Sequence, residues 1–304
     1  MPQKYKVLIT GSSGMLGIDL SRELSRYYDL SGFDIVSSPL SSVRRFYKCD
    51  ITSGKGVLSV LRKAAPDVVI HTAAWTDVDG CQLDKRKAYK INTDGTKNVV
   101  SACGKLGAVL IYISTDFVFD GKKRRPYKED DAPKPLSVYA DSKFRGERAV
   151  EGALDRYIIL RTSWLYGANG KNFVDIIMKK AMAGEDLRVV DDQIGSPTYA
   201  KDLSAAIHEL LDKVFTHSVQ RAAHYGIYHI SNYGSVSWYD YARTILRFAG
   251  IKLKIEAISS KELNRPARRP AMSVLDNSKF FKFTGYKMRG WKTALKDYID
   301  SKYK

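Results

Sequence analysis

Tyr5-Lys-Val-Leu-Ile-Thr10-Gly11-Ser-Ser-Gly14-Met-Leu-Gly17 decides the fold. Its first six residues form a short β-rich run, three glycines follow at once with G-x-x-G-x-x-G spacing, and Leu20, Leu24 and Tyr28 then recur at helical intervals. Strand, tight turn and helix in that order open a nucleotide-binding α/β sheet. The first glycine allows the turn, the second lets backbone approach a pyrophosphate, and the third permits close helix packing. The helix start adds amides and the positive end of its dipole. Gly11, Ser13, Gly14, Met15, Leu16 and Gly17 are therefore the expected dinucleotide contacts.

Working outward, a second strand around Leu30 to Ile35 carries Asp34, 17 residues past Gly17. A carboxylate there accepts from the adenosine ribose hydroxyls and repels a 2′-phosphate unless cations compensate, and Arg44 and Arg45 stand nearby in sequence. The choice between NADH and NADPH stays open. Asp50, followed by Ile51, either flanks the adenine or caps the next helix. Pro66 to His71 reads as another apolar strand leading into small residues, where open sheets bind ligands. A helix from about Lys85 to Lys105 returns to a strand over Ala108 to Ile113, which ends in Ser114-Thr115-Asp116.

Thr115 lies 24 residues before Tyr139 in Ser137-Val-Tyr139-Ala-Asp-Ser-Lys143-Phe-Arg-Gly-Glu147. Four-residue spacing puts the Tyr139 phenol and the Lys143 ammonium on one helix face. A cation held beside a phenol favours the phenolate and lowers a pKa that is ordinarily about 10. A phenol tuned this way hands a proton to a carbonyl oxygen while hydride reaches its carbon. Thr115 and Tyr139 are expected to converge on that oxygen, across a Lys-, Pro- and Asp-rich loop that reads as exposed.

Composition narrows the classes. The chain has 304 residues, 44% of them hydrophobic, enough for one large or two moderate cores. It has no apolar stretch near 20 residues and no signal-like start, so a soluble cytoplasmic protein without a membrane partner is expected. Cys49, Cys81 and Cys103 lack metal-like spacing and read as packing residues. A net charge of +17 attracts anions generally, but no nucleic-acid-binding motif accompanies it, so an anionic small substrate is the expected partner.

The glycine turn, Thr115, Tyr139 and Lys143 together resemble the extended short-chain dehydrogenase/reductase superfamily. Further strings narrow the resemblance to the dTDP-4-dehydrorhamnose reductase family. They are Ala73-Ala-Trp-Thr-Asp-Val-Asp79, Ser114-Thr-Asp-Phe-Val-Phe-Asp-Gly121, Arg161-Thr-Ser-Trp-Leu-Tyr-Gly167, Asp192-Gln-Ile-Gly-Ser-Pro-Thr198, Trp238-Tyr-Asp-Tyr241 and Arg265-Pro-Ala-Arg-Arg-Pro270. The match runs nearly end to end. It implies NAD(P)H-dependent reduction of the C4 ketone of a nucleotide-linked 4-keto sugar. It also implies Thr115, Tyr139 and Lys143 as the catalytic set, and Asp34, Asp50, Ile51, Ala73, Ala74 and Trp75 beside the glycines and Lys143 on the cofactor. Thr76, Val78, Asp116 and Trp164 would meet the sugar, although a core tryptophan would look the same in sequence. Arg265, Arg268 and Arg269, bracketed by prolines in a presented loop, suit the substrate diphosphate, with a solvated loop or a structural ion pair as the plainer reading.

Some members bridge a dimer through Mg²⁺ held by acidic residues, and Lys201 stands at about one such position. No metal is expected, and a homodimer stays open. The methionine adenosyltransferase regulatory subunit and the nucleotide-sugar epimerases and dehydratases share much of the pattern. Only Asp116 is available here where dehydratases carry an acidic pair. The expected architecture is a Rossmann-type, doubly wound parallel α/β sheet with a smaller C-terminal substrate-binding lobe. Residues 1–168 would form the dinucleotide domain with 187–232 returning to it, and 169–186 with 233–304 the lobe. Asn172 to Ala183 reads as a helix of the lobe, Leu187 to Val190 as a strand at the start of the returning segment, and Asp297 to Lys304 as a solvated tail.

Overall fold

A computed structural model describes residues 4–216 and 224–304; Met1 to Gln3 and residues 217–223, which fall within the expected dinucleotide domain, lie outside the described residues. The first half runs β1 (Lys6–Thr10), α1 (Met15–Leu24), β2 (Asp29–Asp34), β3 (Arg45–Lys48), α2 (Gly54–Ala64), β4 (Val68–His71), α3 (Val78–Leu83), α4 (Lys85–Ala88), a π-helical turn Tyr89–Gly95, α5 (Thr96–Leu106), β5 (Val109–Thr115) and α6 (Val138–Glu151). The second half runs β6 (Tyr157–Thr162), β7 (Leu165–Tyr166), α7 (Phe173–Met182), β8 (Leu187–Val190), β9 (Ile194–Gly195), β10 (Thr198–Tyr199), α8 (Ala200–Thr216), β11 (Gly226–His229), β12 (Val236–Ser237), α9 (Trp238–Ala249), β13 (Ile255–Ile258), α10 (Ser260–Leu263), α11 (Ser278–Thr284) and α12 (Trp291–Tyr303).

Seven strands make one sheet in the order β11-β6-β5-β4-β1-β2-β3, every pairing parallel. Parallel pairing demands crossover helices on both faces, so the central strands must be apolar on both sides. Val7 and Ile9 accordingly pack into a core with Leu20 of α1 and Leu203, Ile207 and Leu210 of α8. Leu8 points the other way, into a core with Val57 and Leu61 of α2 and Val99 and Cys103 of α5. The order reverses between β1 and β4, and a doubly wound sheet opens its ligand crevice at such a switch point.

A third core joins α7, α9 and α12 around Ile177, Tyr241, Ile245, Leu295 and Tyr298. It builds a smaller body beside the strands' C-terminal ends, with β8 paired to β13. Three expectations change here. Leu187 to Val190 joins this body instead of returning to the main sheet, because its partner is β13. Phe280 and Met288 pack in the main-sheet core, so the last third of the chain is shared between both bodies. Asp297 to Lys304 is not a solvated tail: Trp291, Leu295, Tyr298 and Ile299 form a buried helical stripe that carries the segment as the end of α12.

The loop after β5 is also more buried than its composition implies. Val118, Phe119 and Tyr127 form a small core with Leu275, with Phe119 stacked on Tyr127 at 4.2 Å between ring centroids.

Candidate active site

A cleft of about 810 Å³ opens over the switch point, lined from the glycine turn through the ends of β2, β4, β5 and β6 to Trp238 of the smaller body. Gly11 turns the chain with φ +69°, and a Cβ there would lie 2.8 Å from Ala73 N. At Gly17 a Cβ would lie 2.1 Å from the Gly11 carbonyl oxygen, so α1 can start this close to β1 only with glycine at that position. α1 is capped by Gly14 with no side-chain hydrogen bond, which leaves its first amides for a ligand. Such a cradle fits a dinucleotide pyrophosphate.

Asp34 ends β2 on the cleft, accepting from Ser13 N at 3.1 Å and from Ile35 N at 2.7 Å. Ser13 itself does not line the cleft: its hydroxyl donates to the Val36 carbonyl at 2.7 Å. Arg44 and Arg45 reach Asp29, at the far end of β2, at 3.7 and 3.4 Å. Asp50 accepts from Thr52 N at 2.8 Å, while Ser53 caps α2, so the capping alternative for Asp50 falls away. Asp50, Ile51, Ala73, Ala74 and Trp75 all line the cleft, as do Thr76 and Val78.

Deeper in, Thr115, Asp116, Tyr139 and Lys143 form the wall beyond β5. Ser137, two residues before Tyr139, caps α6 by accepting from Ala140 N at 3.3 Å. The Tyr139 phenol lies beside the Thr115 side chain in this wall. Thr115 Oγ1 donates to Asp116 Oδ1 at 3.1 Å. Lys143 Nζ donates to the Ile113 carbonyl at 2.8 Å and stands 4.2 Å over the Tyr112 ring.

Burial sets the electrostatics. It raises the Tyr139 phenol well above its usual range, outweighing the lowering by the neighbouring Thr115 side chain, with Asp116 and Cys81 raising it further. It pulls the Lys143 ammonium down to about 7, against the opposing charge of Glu147. It pushes Asp116 up to about 7 and lowers His71 to about 3. The expected lowering of Tyr139 by Lys143 is therefore absent: the ammonium is spent on a backbone carbonyl, and desolvation dominates.

Three contributors have roles that no local pattern in the sequence assigns. Asn92, in the π-helical turn, accepts from Trp75 N at 2.8 Å and donates to the Trp75 carbonyl and Ser142 Oγ, both at 3.0 Å, tying the β4 loop to α6. Trp238 stacks on Trp164 at 3.5 Å with 5° between the planes. Glu147 is fully buried and takes Arg161 on both oxygens, at 2.9 and 2.7 Å, with Ser114 Oγ donating at 2.5 Å. Trp164 carries a left-handed φ of +46°, and a Cβ at Gly195 would meet its ring at 2.3 Å, which explains both the Trp164 and the Gly195 strings.

The arginine loop behaves differently from its diphosphate reading. Arg265 and Arg269 bond Asp79 at 3.0 and 2.9 Å, Arg268 is exposed, and none of the three lines the cleft. Burial alone would raise the Asp79 carboxyl, but hydrogen bonds from Arg269 and Arg265 hold it below the usual range. Opposite charge brought close in a half-buried place is the physical reason. Lys201 pairs with Asp297 at 3.7 Å. Cys81 and Cys103 are buried free thiols, and Cys49 edges the cleft.

Sheet order and glycine turn define a doubly wound, Rossmann-type fold with a dinucleotide crevice. Residues 5–304 match the RmlD substrate binding domain family, and the chain belongs to that family. The spore coat polysaccharide biosynthesis protein SpsK of Bacillus subtilis is 37% identical over 297 residues, covering 98% of each chain. The dTDP-4-dehydrorhamnose reductase of Escherichia coli is 33% identical over 300 residues, covering 95% of each. The dTDP-4-dehydrorhamnose reductase of Bacillus anthracis, solved in complex with NADP, superposes with TM-score 0.88 at 36% identity, covering 98% of this chain and 100% of that one. No helix among the described residues is long and apolar enough to cross a membrane.

Proposed function

We propose that the protein reduces the C4 ketone of dTDP-4-dehydro-L-rhamnose to dTDP-L-rhamnose with NADPH or NADH, in the cytoplasm. The observation that carries this reading is that Thr115, Tyr139 and Lys143 line the wall of the same cleft as the glycine turn. When bound, the dihydronicotinamide supplies a hydride to C4. Tyr139 supplies the proton to the ketone oxygen. A phenol raised by burial is protonated throughout the neutral range, the form an acid needs, and the alkoxide that hydride addition creates is basic enough to take its proton.

Thr115 orients that phenol, and Lys143 holds the nicotinamide ribose. Trp164 and Trp238 present a flat apolar wall to a pyranose, and Thr76 and Val78 line the cleft with them. Relatives named as dTDP-4-dehydrorhamnose reductases at 33% identity and above support the choice of sugar nucleotide. The test is oxidation of NADPH and NADH against a panel of nucleotide-linked 4-keto sugars. Turnover with the dTDP sugar above the others is expected, and no turnover with any of them overturns the reading in favour of a regulatory NAD(P)-binding protein. A homodimer is the assembly to look for by sedimentation of the same preparation.

A further inference from the structure

Among the described residues, three ammonium groups and no guanidinium line the cleft: Lys87, Lys143 and Lys171. Two are engaged. Lys143 bonds the Ile113 carbonyl, and Lys87 stands 4.4 Å over the Trp75 ring. Lys171 is exposed at the end of the connection from β7 to α7, in the smaller body.

That connection is fixed against the first turn of α1. A Cβ at Gly170 would lie 2.9 Å from Met15 Cβ, and one at Gly167 would lie 3.2 Å from Met15 Cγ. Asn169 Nδ2 donates to Asp19 Oδ1 at 3.1 Å. Asn172 caps α7 by accepting from Asp175 N at 3.0 Å, and its amide donates back to the Gly167 and Gly170 carbonyls at 2.8 and 3.1 Å. The backbone beside Lys171 is thus held next to the glycine turn, while its side chain is left in solvent at the cleft. The α1 amides carry only partial charges, and a dinucleotide diphosphate brings two full negative ones.

We propose that Lys171 clamps the diphosphate of the bound dinucleotide, so that the smaller body contributes a charge to the cofactor site. This rests on the reading that the cleft takes NAD(P)H. A lysine acts here as a point charge on a flexible stem, adding a full positive charge to the partial ones of the α1 amides. The geometry that seats it is already present before cofactor arrives, since every bond that fixes Gly167 to Lys171 is internal to the protein.

The test compares wild type with Lys171→Ala and Lys171→Arg by calorimetric titration of four probes: NADPH, ADP-ribose, adenosine and dTDP. One charge-assisted contact to a phosphate corresponds to roughly ten-fold to a hundred-fold in Kd. Lys171→Ala should raise Kd for NADPH and ADP-ribose by about that factor and flatten their salt dependence, leave adenosine and dTDP unchanged, and be largely rescued by arginine. Because Lys171 is exposed, its thermal melt should overlay that of wild type. Unchanged ADP-ribose affinity overturns the proposal. So does a loss confined to dTDP, which would place the ammonium on the substrate diphosphate. If wild type binds neither NADPH nor ADP-ribose, the cofactor reading itself fails, an outcome distinct from equal binding by wild type and variant.

Discussion

Tyr139 keeps its proton because it is buried, and it gives that proton up only when a stronger base appears beside it. Tyr139→Phe should therefore retain NADPH affinity and lose roughly 10²-fold or more in kcat, the scale of general acid catalysis. Wild-type kcat in that variant would move the acid elsewhere. Lys143 adds a pH dependence. Its free-enzyme pKa of about 7 means that the ammonium is lost as pH rises through neutrality, and a ligand that prefers the charged form must take up a proton to bind. NADPH affinity should fall as pH rises above about 7, and Lys143→Met should show weak affinity with little pH dependence; a rising affinity would reverse the assignment. Asp116 works in the opposite direction on stability. Its carboxyl is raised from 3.8 to about 7, so the native state holds a proton that the unfolded chain has released, and stability falls as pH climbs through that window. Asp116→Asn should lack this slope in urea unfolding measured at intervals between those two values.

At the scale of elements, Glu147 joins α6 to β5 through Ser114 and to β6 through Arg161, one helical turn beyond Lys143. A buried pair of this kind costs desolvation on both sides, and removing one partner strands the other charge. Glu147→Ala should therefore destabilise the protein by roughly 3–5 kcal/mol, whereas replacing Glu147 and Arg161 together with apolar residues of similar volume should cost much less. Denaturant midpoints of the single and double variants decide this, and equal losses would mean the pair is not the main term. Glu147 follows Tyr139 and Lys143 at the same four-residue interval, so the ion pair anchors α6 along the face that carries both.

Across the whole molecule, Asp79 stands at the junction of the two bodies, taking Arg265, Arg269 and the Ala267 amide. Arg265 is half exposed, and exposed ion pairs contribute only about 0–1 kcal/mol, so Arg265→Ala should be nearly silent in thermal unfolding. Asp79→Ala removes the acceptor for three donors at once and leaves Arg269 partly buried without its carboxylate, so a loss on the order of 1–3 kcal/mol is expected. A larger effect from Arg265→Ala than from Asp79→Ala would contradict this hierarchy. The net charge of +17 remains available to draw an anionic nucleotide sugar toward the cleft.

The glycine turn, the β-rich runs and the spacing of Thr115, Tyr139 and Lys143 were legible because they are local: period, turn chemistry and helix face follow from a few adjacent residues. They determined the doubly wound sheet and brought Gly11, Gly14, Thr115, Tyr139 and Lys143 to its crevice, though not Ser13. Contacts between residues far apart in the chain were decided only by tertiary structure. Nothing adjacent to Lys143 tells that its ammonium meets the Ile113 carbonyl, nor that burial would raise Tyr139 while pulling Lys143 down, because desolvation depends on what the rest of the chain lays over a group. The same holds for Arg269 meeting Asp79 across 190 residues, for Trp238 closing on Trp164, and for a basic ending that becomes a helix because Tyr298 and Ile299 find a core to enter.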